Sequence, residues 1–231
     1  MLDLGLSDVF PDVEFVVPRS VVIGTDVFEE FVDDNELGKF AHEDHSNEEV
    51  NQAFLEAEFT DDIVGEISVM LQQTKWPLAI RSSSLLEDSS HQPFAGVYAT
   101  YMLANDHPDL DVRLRRLLEA IKLVYASTYH RGAKAYVAAT PSTIEDERMA
   151  VVIQDLVGDE VNGRFYPMIS GAARSRNHYP IEPLIAEDGI AAICIGLGRQ
   201  VSAGGKCLRY SPGQPRRIHQ FHSNQAILDT S

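Results

Sequence analysis

The segment from Pro77 to Thr100 constrains the fold and chemistry of this chain more than any other stretch. Its apolar start, residues 77–80, is typical of a short buried strand, and it leads directly into Arg81 and three consecutive serines. Arginine carries a permanent charge on a planar fork that suits phosphate oxygens, while serine and glycine let backbone N–H groups approach an anion closely. The segment therefore predicts a strand that ends in an anion-binding loop.

An alternative interpretation of the same residues is purely structural. An acidic pair, Glu87 and Asp88, follows the serines, and either carboxylate would neutralise Arg81 beside a serine-rich surface loop. The residue types alone do not decide between the two interpretations, because loops rich in serine and glycine are common. An Arg81 side chain that is unpaired at an open surface would favour anion binding.

The whole segment resembles the signature of the nucleotide-binding domain shared by phosphoenolpyruvate synthase and pyruvate phosphate dikinase. That signature runs roughly V-R-S-S-A-x-x-E-D, a short spacer, and F-A-G-x-x-x-T. The matching positions are Ile80-Arg81-Ser82-Ser83-Ser84, Glu87-Asp88, Phe94-Ala95-Gly96 and Thr100. Weaker similarity extends over most of the chain, including Met149–Gln154, which is like the family's V-V-Q strand, and residues 196–198, which are like its G-L-G turn.

The resemblance implies an ATP-grasp-like domain of two lobes that clasp ATP, with magnesium as a companion ion. It implies a transfer of a phosphoryl group from ATP to a histidine on a separate domain, and pyruvate or phosphoenolpyruvate bound by further domains. Within this chain it implies that Arg81 is the catalytic and phosphate-binding cation. Ser82, Gly96 and Thr100 are then phosphate contacts. Gln154 is an adenine contact or, alternatively, a strand amide bound by its own neighbours.

Several departures from the family pattern bear on function. Val97-Tyr98-Ala99 replaces the family's usual Gln-Gln-Asp, and the N-terminus lacks its Gly-Gly-Lys turn. The stretch Ile190–Ile195 lacks the carboxylate that usually helps to hold magnesium, an ion that prefers oxygen ligands. Glu187 and Asp188 are the nearest replacements, and the metal ligands stay unknown. These departures support a second hypothesis, that the chain is a degenerate, non-catalytic ligand-sensing or interaction module.

Charge and composition argue against some classes of partner. The chain has 231 residues, 44% of them apolar, and a net charge of −16. Residues 1–110 hold 4 Lys/Arg against 23 Asp/Glu, whereas residues 111–231 hold 15 against 12. An acidic chain binds nucleic acid poorly, since the phosphate backbone needs a basic face. No apolar run is long enough to cross a membrane and no signal pattern is present, so we predict a cytoplasmic protein without nucleic-acid or membrane partners.

Element patterns change along the chain. Helical periodicity dominates residues 1–147, with its clearest example over residues 108–128, and strand patterns dominate residues 148–231. The predicted later strands are Met149–Val157, Arg164–Ile169, Ile190–Ile195 and Lys206–Tyr210. This order predicts an α+β fold with a helix-rich first lobe that carries Arg81 and a strand-rich second lobe. The family's downstream domains do not fit in this length, so we expect a fragment of a longer multidomain protein.

Overall fold

A computed structural model of the chain describes residues 5–84, 87, 96–139, 147–198, 201, 205–216, 218, 220 and 225. The chain divides into two compact units, Met1–Leu156 and Val157–Ser231. The first unit combines helices with a four-stranded sheet. Its helices are α1 (Leu6–Val9), α2 (Thr25–Asp34), α3 (Leu37–His42), α4 (Asn47–Glu56), α5 (Asp61–Gln72), α6 (Leu110–Ser127) and α7 (Arg131–Val137). Its strands are β1 (Ser20–Ile23), β2 (Leu78–Ser84), β3 (Thr100–Leu103) and β4 (Met149–Asp155).

Local capping chemistry fixes where two of these helices begin. At the start of α4, the Ser46 hydroxyl accepts from the Glu49 N–H while the Glu49 carboxylate accepts from the Ser46 N–H. A serine followed three residues later by a glutamate predicts this capping box from the sequence. At the start of α6, the Asp109 carboxylate accepts from the Asp111 N–H at 2.9 Å. Both caps satisfy backbone donors that the first helical turn leaves without partners.

The sheet of the first unit has the strand order β1-β4-β2-β3, and every neighbouring pair is antiparallel. Strand β4 pairs with β2 along its full length, from Met149 opposite Ser84 to Asp155 opposite Leu78. The sequence pattern predicts β4 in a strand-rich second lobe that begins at residue 148, but this strand is interior to the sheet of the first unit. The reason is long-range pairing between segments about seventy residues apart, which local patterns do not reveal.

One face of this sheet packs against the helices and forms the core. Ile80, Leu117, Ile121 and Val151 are fully buried there, and α6 supplies two of these four side chains. The opposite face is open, since Val22 and Met102 on its strands are 61% and 60% exposed. An antiparallel sheet with one solvated face is expected to alternate buried and more accessible side chains, and β4 alternates buried and half-buried ones from Met149 to Gln154.

The second unit is built from short antiparallel strands, and α+β is the class that the structure confirms. Its strands are β5 (Asp159–Val161), β6 (Arg164–Tyr166), β7 (Ile169–Arg174), β8 (Ile190–Ile195) and β9 (Leu208–Tyr210). β5 and β6 form a hairpin whose two turn residues, Asn162 and Gly163, both have positive φ, as a tight turn of this type requires. The other three form a sheet of order β7-β8-β9. The sequence predicts one strand from Arg164 to Ile169 and misses β7, which begins after Pro167.

The ATP-grasp-like arrangement of two lobes stays a prediction. Within the described part of the chain, no helix is both long and apolar enough to cross a lipid bilayer.

Candidate functional site

Arg81 lies in the middle of β2, and its side chain is exposed. Antiparallel pairing puts Arg81 directly opposite Thr100 of β3 and Val152 of β4. Directly opposed residues share a face of the sheet, and successive residues alternate between faces. Because the preceding residue, Ile80, is fully buried against the helices, Arg81 and Thr100 lie together on the open face.

Gln154 shares this open face with Arg81. It is two positions along β4 from Val152, so the two backbones are diagonal neighbours, roughly 7–8 Å apart. The Gln154 amide nitrogen donates to the hydroxyl of Ser20, the residue directly opposite it on β1, at 3.0 Å. The neighbouring strand therefore binds and orients this amide, as the structural alternative for Gln154 describes.

The chemistry of the open face is that of a cation among neutral groups. Its strand positions carry one guanidinium, three hydroxyls and one amide, with small or apolar side chains between them and no carboxylate. These positions are Ser20, Val22, Ala79, Arg81, Ser83, Thr100, Met102, Ala150, Val152 and Gln154. The residues two positions from Arg81 on β2, Ala79 and Ser83, are small, and Val152 opposite it on β4 is apolar.

Ser82 lies on the opposite face from Arg81. It is directly opposite Val151, which is fully buried against the helices. Its hydroxyl donates to Glu87 Oε1 at 3.0 Å, and Glu87 Oε2 accepts from the Ser84 N–H at 3.2 Å. Side chains alternate between faces along a strand, so the structure does not bring Ser82 together with Arg81. Ser83, two positions from Arg81, is on the open face instead.

The structural alternative for Arg81 was an ion pair with Glu87 or Asp88. Glu87 instead binds two serines, and across the residues that the structure describes Arg81 forms no ion pair. Asp88 lies outside the described residues. An exposed guanidinium that no described carboxylate neutralises is well suited to hold an anion.

Gly96 precedes β3 with φ of +85°, in the left-handed region that glycine adopts without strain. A Cβ built on it would meet no atom within 4 Å, so backbone conformation rather than space calls for glycine here. Phe94 and Ala95, the first two residues of the predicted turn, lie outside the described residues. The predicted contact of Gly96 with phosphate stays a prediction.

In the second unit, both predicted replacements for the magnesium ligand have other partners. Glu187, one of the two predicted replacements, forms an ion pair with Arg176 at 2.9 Å. Asp188 Oδ2 accepts from the Ile185 N–H and from the Gln214 amide, each at 2.9 Å. Across the described part of the chain, no three Asp, Glu, His or Cys residues are grouped so that they would hold a metal. Glu187 and Asp188 are therefore engaged by other residues, and the metal ligands stay unknown.

Comparison with known proteins identifies the family of the chain. A profile described as "Pyruvate phosphate dikinase, AMP/ATP-binding domain" matches residues 3–221, nearly the whole chain. The chain belongs to this family. A curated relative, the "Uncharacterized phosphotransferase YvkC" of Bacillus subtilis (strain 168), is 25% identical over 193 residues, which cover 81% of this chain. The chain spans about a fifth of that relative's length, 20%.

Membership in the pyruvate phosphate dikinase AMP/ATP-binding domain family confirms the resemblance that the Arg81 segment carries. The family description makes this an AMP/ATP-binding type of domain, so the expected ligand is a nucleotide. Arg81, Thr100 and Gln154 are brought to one sheet face, and Ser82 is not. The individual roles of these side chains stay predictions.

A buried polar cluster beside this face was missed at the sequence level. The Tyr98 hydroxyl donates to Glu147 Oε1 at 3.1 Å, and both residues are buried. Burial, reinforced by the Glu147 carboxylate, raises the pKa of Tyr98, so its phenol stays protonated. The signal available in the sequence was Tyr98 itself, an aromatic residue where the family has a polar amide.

Proposed function

We propose that the chain is the ATP-binding domain of a phosphotransferase similar to phosphoenolpyruvate synthase and pyruvate phosphate dikinase. In this proposal a phosphoryl group passes from ATP to a histidine on a separate domain, and further domains bind pyruvate or phosphoenolpyruvate. The observation that carries it is the exposed Arg81 side chain, opposite Thr100 on a face whose strand positions hold no carboxylate. The name of the Bacillus subtilis relative, a phosphotransferase, supports the same class of reaction.

Each group on the open face has a role in this proposal. The Arg81 guanidinium forms bidentate hydrogen bonds with phosphate oxygens, and the hydroxyl of Thr100 opposite it donates to the same phosphates. Gln154, oriented by Ser20, contacts the adenine. Catalysis by this domain consists of positioning and charge neutralisation, with no covalent intermediate on its own residues. No step is assigned to magnesium, because Glu187 and Asp188 are held by other partners.

A thermal unfolding experiment tests nucleotide binding. ATP at ~100-fold over its Kd should add about 2.7 kcal/mol to the free energy of unfolding. The Arg81→Ala variant should lose most of this stabilisation yet unfold at the wild-type temperature without ligand, because the side chain is exposed. Arg116→Ala is the matched control, since Arg116 is an exposed arginine on α6, the helix that packs against the other face of the sheet.

The histidine acceptor needs its own test in the longer protein that this proposal requires. Incubation of that protein with ATP should give an acid-labile phosphoryl group on a histidine outside residues 1–231. The Arg81→Ala substitution in the longer protein should slow its formation, and Arg116→Ala should not. Phosphoryl transfer that is unaffected by Arg81→Ala would contradict the role of this face.

A second candidate function is a degenerate module that senses a ligand or binds a partner without catalysis. The observation in its favour is that Glu187 and Asp188 are both held by other residues, so neither replaces the family's metal ligand. A wild-type chain whose unfolding temperature does not change in millimolar ATP would support this candidate and contradict the first.

A further inference from the structure

Three buried polar side chains meet where strands β2 and β4 lie side by side, at the end of the strand that carries Arg81. Ser84, Tyr98 and Glu147 are 3%, 5% and 3% exposed. The Tyr98 hydroxyl donates to Glu147 Oε1 at 3.1 Å, and the Ser84 hydroxyl is close enough to Tyr98 to affect the pKa of its phenol. Buried polar groups are costly unless they are paired, so a connected cluster of this kind fixes the geometry of its members.

Glu87 extends this cluster along β2. The Glu87 N–H donates to the Ser84 hydroxyl at 3.3 Å, and its carboxylate binds the Ser84 N–H and the Ser82 hydroxyl. Glu147, just before β4, thus binds Tyr98, and Glu87 binds Ser84, whose hydroxyl is near the Tyr98 phenol. We call these four residues the Tyr98 network. It lies on the helix-facing side of the sheet, behind Arg81.

The network holds the backbone that leads into β3. Tyr98 is two residues before Thr100, and between them the Ala99 N–H donates to the buried Ser127 hydroxyl at 3.0 Å. The Tyr98 side chain and the Ala99 backbone therefore both form hydrogen bonds with buried side chains. They immediately precede Thr100, which pairs with Arg81. Small displacements of a binding group weaken a site that depends on several groups converging.

We propose that Tyr98 is a positioning residue for the nucleotide site, and that its hydrogen bond to Glu147 holds Thr100 opposite Arg81. This inference rests on the proposed function. It gives a role to the position at which the chain departs from the family's Gln-Gln-Asp, because a tyrosine here reaches the buried carboxylate of Glu147, just before β4. The Tyr98 ring also contributes to the hydrophobic core, so the test must separate its hydroxyl from its ring.

The variant Tyr98→Phe keeps the ring and removes the hydroxyl. Its Kd for ATP should rise roughly tenfold, the scale of one lost hydrogen bond to a charged group. Its Kd for adenosine should stay at the wild-type value, because adenosine has no phosphates to meet Arg81 and Thr100. Tyr98→Gln, which restores a donor to Glu147, should recover part of the ATP affinity. A purely structural role would weaken ATP and adenosine binding together and would overturn the proposal.

Tyr125→Phe is the matched control, since it removes the same atom from another buried tyrosine. Tyr125 is fully buried, and its hydroxyl has no hydrogen-bond partner among the described residues. Its Kd for ATP should equal that of the wild type. An ATP affinity of Tyr98→Phe equal to that of Tyr125→Phe would overturn the positioning role and leave the proposed function intact.

Amide hydrogen exchange without nucleotide separates this inference from the proposed function. Exchange at residues 99–101 should be faster in Tyr98→Phe than in Tyr125→Phe. Tyr98→Phe removes the hydrogen bond to Glu147 that holds the backbone before β3. Wild-type rates in both variants would overturn the inference whatever the nucleotide result. Faster exchange in a chain that binds no ATP would overturn the proposed function and, with it, the nucleotide role of Tyr98.

Discussion

Arg81 and Thr100 lie directly opposite each other on adjacent antiparallel strands, on the sheet face that the helices leave open. Their neighbour Ser82 is on the other face and binds Glu87. This separation assigns one serine of the signature, Ser83, to the side of Arg81 and gives Ser82 a structural hydrogen bond instead. Four further predictions follow from contacts of this kind.

Replacing Arg81 by lysine should give an ATP affinity between those of the wild type and Arg81→Ala. Lysine keeps the charge but loses the planar guanidinium that binds two phosphate oxygens at once. We therefore expect the Kd for ATP to rise roughly tenfold. Isothermal titration with ATP measures it, and Arg116→Lys on α6 controls for a general change of charge type. An Arg81→Lys variant with wild-type affinity would mean that charge alone matters at this position.

Replacing Arg113 by methionine should lower the free energy of unfolding by about 3 kcal/mol. Arg113 is 5% exposed, and its Nη1 donates to the carbonyls of Leu71 and Thr74 at the end of α5 and to the Asn105 side chain. Methionine fills similar space but leaves these acceptors without their donor. Urea denaturation measures the loss.

The control for this prediction is Arg116→Met on the exposed side of the same helix. It should change the free energy of unfolding by less than about 0.5 kcal/mol. Equal effects of the two substitutions would show that helix propensity, rather than the buried hydrogen bonds of Arg113, determines the result.

Replacing Tyr125 by phenylalanine should leave stability unchanged or raise it by up to about 1 kcal/mol. The ring packs edge-on against Phe28, with centroids 4.9 Å apart, and phenylalanine retains that contact. The hydroxyl is buried without a hydrogen-bond partner among the described residues, so its removal relieves a desolvation cost. The unfolding midpoint in urea measures the change, and a loss above about 1 kcal/mol would reveal a hydrogen-bond partner for this hydroxyl.

Stability should fall as the pH drops below about 6.5, partly through His130. Burial lowers the pKa of His130, an effect that the nearby Glu48 carboxylate opposes, and the ring Nε2 lies 2.8 Å from Asn51 Oδ1. A group whose folded pKa lies below its unfolded value takes up its proton more readily when unfolded. Its contribution is therefore complete above the unfolded pKa and is lost as the pH falls through the folded one.

The measurement for His130 is the free energy of unfolding at several pH values between 8 and 5. The His130→Gln variant should show a shallower loss over this window than the wild type, whatever its stability at pH 8. Parallel curves for the two proteins would assign the pH dependence to other groups.

Local sequence chemistry determined much of the framework. The Ser46–Glu49 capping box, the long helix α6 within the predicted residues 108–128, and strand β8 at Ile190–Ile195 were all predicted from neighbouring residues. The family signature around Arg81 depends on a local register in the same way. Such features follow from periodicity and capping within a few residues, so a sequence specifies them without reference to the rest of the chain.

Tertiary structure decided what the local pattern left open. The sequence offered Glu87 as an ion-pair partner for Arg81, but in the fold the Glu87 carboxylate binds Ser82 and Ser84. The Gln154 amide meets Ser20, which is 134 positions away, and Tyr98 meets Glu147, which is 49 positions away. The order of strands in the sheet makes these contacts, and that order depends on long-range pairing and on which face the helices bury. The sequence by itself thus determined that an arginine follows an apolar run in a nucleotide-binding signature. Only the fold decided which side chains share its face, because neighbours across a sheet are set by pairing and not by distance along the chain.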